Sequence, residues 1–330
     1  MARADLLKKL FRSFKSADNE AFIKAAELVI DEERKKNHGV LADELKTILH
    51  SEQRNSPKSI SVLQTQLPKD VDKNTSLFEV KFPDRFFNDL VLSEGIKDDL
   101  LNITKDFQYW DVLVNNGLHP NNKILFCGPP GCGKTITAEA IAGELGLPLL
   151  YVRFDSVISS FLGETSTNIR KVFDYASNGS WVIFFDEFDA IGRSREDSSE
   201  HGELRRVVNA FLQLIDNFLG KSIIIAATNF EKSLDHALWR RFSEIIKFEP
   251  PTTEEAQQLL KKGLSRFIGP ENKFVEVSNS LTGFSQADIA RVCQEVGKRC
   301  ILDSRHHFTI SDLQVAIDRE KKRKSIRMNN

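Results

Sequence analysis

Nothing in this 330-residue chain approaches the roughly 18 consecutive apolar residues that a membrane-spanning helix needs. The first residues are no better suited to export, since Arg3, Lys8, Lys9, Arg12 and Lys15 stand where a secretion signal would place its apolar segment. A cytosolic protein is the expectation. Cysteine is scarce too: the four at 127, 132, 293 and 300 include no C-x-x-C pair, which argues against a zinc knuckle or a disulfide framework. Reduced thiols used as small packing groups are expected instead. Charge of one sign is also missing, with 46 Lys and Arg against 47 Asp and Glu, so no global field draws the chain to nucleic acid or acidic lipid. His306 and His307 are adjacent and point in different directions, a poor arrangement for a metal.

Against these absences stands one dense stretch, Gly128-Pro129-Pro130-Gly131-Cys132-Gly133-Lys134-Thr135, which fits G-x-x-x-x-G-K-[ST]. The apolar run Lys123 to Cys127 enters it as a strand, and Ala138, Ile141, Ala142 and Leu145 leave it at helical spacing. Strand, glycine turn and helix together make a P-loop. Its backbone N–H groups point inward at the positive end of a helix and form a ring of donors for a polyphosphate. Lys134 is then expected to reach the β- and γ-phosphates of ATP, and the Thr135 hydroxyl to hold Mg2+.

Other segments fall into place around this turn. Leu149 to Phe154, Trp181 to Phe185, Ile223 to Ala227 and Ile245 to Phe248 read as further buried strands, alternating with helical patterns at Ile169 to Ala176 and Leu204 to Phe218. The fold class is α/β: a P-loop parallel sheet sandwiched by helices over residues 77–250. Pro250-Pro251 ends it, and a small helical domain follows over 251–330, opened by capping boxes at Thr252/Glu255 and Ser285/Asp288, with Ser311/Gln314 capping the last helix. The basic run Lys321 to Lys324 reads as a frayed, solvated helix end. Upstream, residues 1–50 carry three amphipathic helical patterns, marked by Leu7 to Phe14, Phe22 to Val29 and Leu41 to Leu49, and 51–76 is a polar linker. This N-terminal helical appendage is of a kind that recognises a partner.

Ligands of an α/β sheet bind outside the carboxyl ends of its strands. Asp186-Glu187 closes one such end and Asn229 another. Asp186 is expected in the Mg2+ shell, and Glu187 is placed to deprotonate an attacking water. The Asn229 amide can hydrogen-bond that water or the γ-phosphate.

Gly128 to Thr135, Phe185-Asp186-Glu187, Ala226 to Asn229 and Leu238-Trp239-Arg240-Arg241-Phe242 together resemble the AAA+ ATPases, specifically the AAA clade. The resemblance runs from about Leu77 to Arg319 and is that of a single-ring, protein-remodelling, compact bacterial-like member. It implies that Arg240 and Arg241 act as arginine fingers on the γ-phosphate of a neighbouring subunit, and hence a homo-oligomeric ring, usually a hexamer. It implies that Gly283 to Asp288 brings a helical lid to the nucleotide through Ala287, with Gln286 standing where the clade's pattern has Gly. It also implies a pore loop, Phe161-Leu162-Gly163-Glu164, whose aromatic ring grips an extended polypeptide, and a further loop, Ser194 to Glu203, facing the same channel. Protein remodelling or threading is the function so implied. A switch that activates a partner such as a protease competes with it, since some compact bacterial relatives resembling this chain are encoded beside subtilisin-like proteases with roles in phage defence. A nucleic-acid motor is disfavoured by the near-zero charge.

Overall fold

Each apolar run of the central region forms a strand, and the strands share one sheet. The computed structural model describes residues 19–35, 76–153, 162–188, 201–229 and 239–328, with Pro68 and Val157. Two compact units result, Met1–Thr65 and Gln66–Asn330. In the first, helix α1 (Asn19–Lys35) buries Ala25 and Ile30, in keeping with the amphipathic pattern read there. The other two helices expected in this region lie outside the described residues, as does the 51–76 linker apart from Pro68 and Ser76.

In the larger unit the strands are β1 (Glu79–Lys81), β2 (Lys123–Cys127), β3 (Leu149–Arg153), β4 (Val182–Asp186), β5 (Ile223–Thr228) and β6 (Glu244–Lys247). They lie in the order β1-β3-β4-β5-β2-β6. The pairs from β3 across to β6 are parallel, while β1 runs antiparallel along β3. The parallel sheet read from the sequence is present, and β1 adds an antiparallel edge strand not read there: three residues of which one is exposed and two half-buried carry no apolar run. Register brings the carboxyl ends together, with Cys127 opposite both Thr228 and Lys247 and Arg153 opposite Asp186.

Successive residues of a strand face opposite sides of the sheet. Phe126, Phe184 and Ile225 therefore pack with Leu100 and Ile103 of α2 (Glu94–Gln108) and with Ala138 and Ile141 of α4 (Lys134–Leu145). A short helix, α3 (Trp110–Asn115), follows α2. On the opposite side Phe185 stacks on Phe173 of α5 (Leu162–Ala176) at 5.7 Å and meets Phe211 of α6 (His201–Asn217) edge-on at 5.1 Å. Helix α4 lies so close to the lead-in segment that a Cβ on Gly143 would overlap the Arg85 carbonyl. Glu144 Oε1 accepts from the Phe87 N–H at 2.9 Å in the same contact.

Beyond Pro251 the helices α7 (Thr253–Gly263), α8 (Phe274–Asn279), α9 (Gln286–Leu302) and α10 (Ile310–Met328) enclose their own core around Leu260, Val292, Val296 and Leu313. The boxes at Thr252/Glu255 and Ser285/Asp288 form as read. The last one does not. Thr309 and Asp312 cap α10, the Asp312 N–H donating to Thr309 Oγ1 at 3.2 Å and the Thr309 N–H to Asp312 Oδ2 at 2.9 Å. Asp312 wins over Ser311/Gln314 because its carboxylate also receives Arg305 at 3.0 and 3.2 Å. The basic run is not frayed: Lys321 to Lys324 stay helical, and Lys324 donates to the Gly283 carbonyl.

Alanine at 143 gains up to about 1 kcal/mol of helix propensity, and collision with the backbone at Arg85 costs about 1–3 kcal/mol. A lowered denaturant midpoint for Gly143→Ala is the expected outcome. In the helical region, the Arg305 guanidinium, followed by burial in the opposite sense and the Thr309 donors, holds the Asp312 carboxyl well below the usual carboxylate range. A depressed folded-state value means stability that is present above the unfolded value of about 3.9 and lost as pH falls below it. Acid unfolding of the protein is therefore expected to set in below about pH 4, and Asp312→Asn to flatten that dependence and lower neutral-pH stability by about 2 kcal/mol. Thermal melts between pH 3 and 7 read both.

Candidate active site

Strand β2 ends at Cys127, and the chain must turn at once because Phe248 lies alongside, its N–H bonded to the Cys127 carbonyl at 2.7 Å. Gly128 makes the turn at φ 138°, where a Cβ would overlap the Phe248 carbonyl oxygen. Gly133, at φ 96°, then aims the chain into α4. Lys134 is only 8% exposed. Its ammonium donates to the carbonyls of Gly128 and Pro129 at 2.6 and 3.0 Å and to Asn229 Oδ1 at 2.9 Å. Asn229 follows β5 directly, so the lysine and the amide read separately from sequence meet at one point.

Thr135 donates its hydroxyl to Asp186 Oδ2 at 3.3 Å, across from the end of β2 to the end of β4. The same oxygen accepts from the Tyr151 phenol at 2.9 Å, and Asp186 Oδ1 accepts the Glu187 N–H at 2.9 Å. Burial, then the Asp186 hydrogen bond and charge, pushes the Tyr151 phenol well above its ordinary value, so it remains a donor. Glu187 is exposed and sits at φ 56°, the left-handed region that a residue with a Cβ enters at a cost of about 1 kcal/mol or more. What holds it there is the next residue, Phe188, fully buried against Phe211 at 4.9 Å. The same ring meets Phe242 edge-on at 6.5 Å, and Phe242 anchors the turn that carries Arg240 and Arg241.

The two arginines are not equivalent. Arg241 is paired with Asp216 of α6 at 2.8 Å, whereas the exposed Arg240 makes no ion pair among the described residues.

The helical domain reaches the P-loop through backbone. The Ala287 N–H donates to the Gly131 carbonyl at 3.0 Å. Gln286, which stands where the clade has Gly, does not prevent this approach: its side chain runs over Gly133, whose lack of a Cβ leaves room for the amide oxygen, and donates to the Val91 carbonyl at 3.1 Å. A cavity of about 110 Å³ lies at this junction, lined by Leu92, Ile96, Cys132, Phe248, Thr252 and Gln286 among others. Cys132 is buried, which raises its thiol pKa against the opposing influence of Lys134. A wider groove of about 740 Å³ on the helical domain shares none of its lining with the P-loop.

Phe161 lies outside the described residues. Leu162 and Gly163, expected in a loop, instead open α5, and His201 to Glu203, expected in the further loop, open α6. A glycine in the first turn of a helix is tolerated, so its presence did not mark a loop. Tyr151 and Asp216 were not singled out from sequence. A polar-tipped aromatic in an otherwise apolar strand was the signal available for Tyr151.

A mostly parallel sheet in which an interior strand, β2, runs into a P-loop, with two acids and an amide at the ends of β4 and β5, defines a nucleoside triphosphatase of the P-loop class. Residues 124–250 match the family described as ATPase family associated with various cellular activities (AAA). The chain is 43% identical over 327 residues to an uncharacterized AAA family ATPase, y4kL, of Sinorhizobium fredii, covering 98% of this chain and 97% of that one. It is 32% identical over 271 residues to a proteasome-activating nucleotidase of Sulfurisphaera tokodaii, 79% of this chain and 69% of the other. An ATP-dependent zinc metalloprotease FtsH 2 of Symbiobacterium thermophilum is 31% identical over 242 residues, 71% of this chain but 41% of that longer protein. The chain belongs to the AAA ATPase family and is an ATP hydrolase.

The strained backbone at Glu187 gives a direct test. Glycine ordinarily destabilises relative to alanine, but at φ 56° the order reverses. Glu187→Gly is expected to be more stable than Glu187→Ala by about 1 kcal/mol in denaturant titration, both lacking turnover.

Proposed function

We propose that the chain assembles into a ring, of six copies by the usual habit of its family, and couples ATP hydrolysis to remodelling or threading of a polypeptide. One observation carries the hydrolytic half: two neighbouring hydrogen-bonded pairs, Lys134 with Asn229 and Thr135 with Asp186, stand at the sheet's carboxyl edge, with Glu187 exposed next to Asp186. The P-loop N–H groups and Lys134 take the β- and γ-phosphates, which compete with Asn229 for the ammonium. Asn229 and Glu187 orient a water for attack on the γ-phosphorus. Its proton passes to the Glu187 carboxylate as the bond to the β,γ-bridging oxygen breaks and ADP departs with the electron pair.

Two hard oxygen donors, Thr135 Oγ1 and Asp186 Oδ2, converge within 3.3 Å, and this pair suits Mg2+ arriving with ATP. The ion neutralises charge on the phosphates when bound. Arg240, without an ion pair among the described residues, is the better placed of the two arginines to reach an adjacent copy, and Arg241 follows if it leaves Asp216. Ala287 brings the lid to the nucleotide, so that lid and sheet domains, divided near residue 250, shift with its state and move Phe161 along a channel. The four cysteines, free and buried, agree with a reducing cytoplasm.

The relative's name, proteasome-activating nucleotidase, supports a second reading in which the ring activates a partner protease rather than threading substrate by itself. Two experiments separate the possibilities. Arg240→Ala is expected to lower kcat by about a thousandfold and Arg241→Ala by less, with specific activity rising with protein concentration in the parent. Hydrolysis by an isolated monomer, indifferent to concentration and to loss of both arginines, sinks the ring. Unfolded polypeptide is expected to stimulate the ATPase, and Phe161→Ala to abolish the stimulation. If Glu187→Gln, locked with ATP, still forms rings that activate a partner, the switch is correct.

A further inference from the structure

Tyr151 lies at the middle of β3 and is half-buried. Its ring lies 5.8 Å from the Phe184 ring on one side, and the Lys81 ammonium sits 3.8 Å from its centroid on the other. Lys81 comes from β1, which pairs with β3 so that Lys81 faces Leu149 and Val80 faces Leu150. The phenol oxygen thus has its direction fixed by the sheet. It donates to Asp186 Oδ2 at 2.9 Å, the very oxygen on which Thr135 Oγ1 converges at 3.3 Å. Asp186 Oδ1 is meanwhile taken by the Glu187 N–H.

A buried tyrosine hydroxyl commonly finds some partner, and a purely structural role would need no more than a backbone carbonyl. Here the acceptor is the carboxylate that the hydrolytic reading places nearest the metal. A carboxylate on a short side chain can rotate about its terminal bond. Two donors on its two oxygens, one from β3 and one from its own chain, leave a single orientation. Thr135 can turn an oxygen lone pair to a cation while its O–H still donates to Asp186, and Tyr151, on the far strand, need not change at all.

We propose that Tyr151 is a positioning residue for the divalent cation that accompanies ATP, holding the Asp186 carboxylate in the orientation the cation requires. The cation over the Tyr151 ring favours polarisation of the O–H towards Asp186. This rests on the assignment of Thr135 and Asp186 to the metal side of the site.

The test uses the full chain and Tyr151→Phe, which keeps the ring and its contacts with Phe184 and Lys81. Binding of Mn2+ in the presence of a non-hydrolysable ATP analogue is followed by electron paramagnetic resonance, and ATPase is measured against Mg2+ concentration. Losing the phenol is expected to weaken Mn2+ binding and raise the half-saturating Mg2+ concentration about tenfold. At saturating Mg2+ kcat is expected to stay near the parental value, and nucleotide affinity in chelator to be unchanged. A structural role alone would lower the melting temperature without splitting metal dependence from kcat. Asp186→Asn and Thr135→Ala run in parallel. If both weaken Mn2+ binding and Tyr151→Phe does not, the proposal for Tyr151 is wrong and the metal assignment stands. If neither weakens it, the metal assignment itself fails, and the proposal with it.

Discussion

A lysine ammonium almost wholly removed from water is the constraint that the rest of the site answers. Lys134 is 8% exposed, and an ion of that kind costs several kcal/mol to bury unless its donors are used. Two carbonyls and one amide oxygen receive it. Those hydrogen bonds use the donors that burial takes from water. A polyphosphate supplies both acceptors and the opposite charge. The P-loop fold thus holds a cation where phosphate would bind, and the sheet must bring β2 and β5 into register to do so. Cys127 opposite Thr228 is that register, placing Gly128 and Asn229 one residue further on, at the same edge.

Aromatic packing fixes the second half of the site. Phe185 and Phe188 bracket Asp186-Glu187, and both rings are fully buried. Phe185 lies on Phe173 and Phe211, and Phe188 on Phe211 and Phe242. The turn between them has no freedom to relax, which is how Glu187 is kept at a positive φ. Energy from burying rings, about 2 kcal/mol each, exceeds the strain of one left-handed residue. Because Phe242 belongs to the same group, the acid turn and the arginine turn are mechanically one piece. A shift of α6 would move both, since it carries Phe211 beneath the acids and Asp216 against Arg241.

Those features that depend on local rules could be read from the chain. The glycine motif specifies its own backbone, the strands β2 to β5 are continuous apolar runs, and Asp186-Glu187 stands where such a run stops. The Thr252 and Ser285 caps need only three residues of context. What escaped depends on contacts distant in sequence. β1 exists because β3 offers an edge, not because Glu79 to Lys81 favour a strand. Thr309 rather than Ser311 caps α10 because Arg305 recruits Asp312, and no spacing rule contains that arginine. The Arg241–Asp216 pair needs the fold to bring residues 25 apart into contact, so two adjacent arginines of equal appearance acquire different surroundings. Gly163 read as a loop residue because glycine weakens helices on average, while its actual place is the first turn, where that cost is least.

The junction between the sheet and the helical lid shows how one substitution can be absorbed. A glycine is useful where two backbones must approach, and Gln286 stands at such a place, beside the Ala287 to Gly131 hydrogen bond. Its side chain lies along the junction, with the amide oxygen against Gly133, where a Cβ would approach it to 2.7 Å, and the amide nitrogen on the Val91 carbonyl, so it adds a tether instead of a wedge. Lys262 makes another, donating to the Asn88 carbonyl at 2.7 Å. Both tethers join the lid to the segment just before α2, and both end on backbone oxygen, which is indifferent to side-chain identity in the lead-in. With the Ala287 to Gly131 bond, the described lid contacts include three such hydrogen bonds, each worth about 1 kcal/mol, so the lid is held by a few weak ties to backbone and not by an extended apolar seam of the kind that encloses its own core.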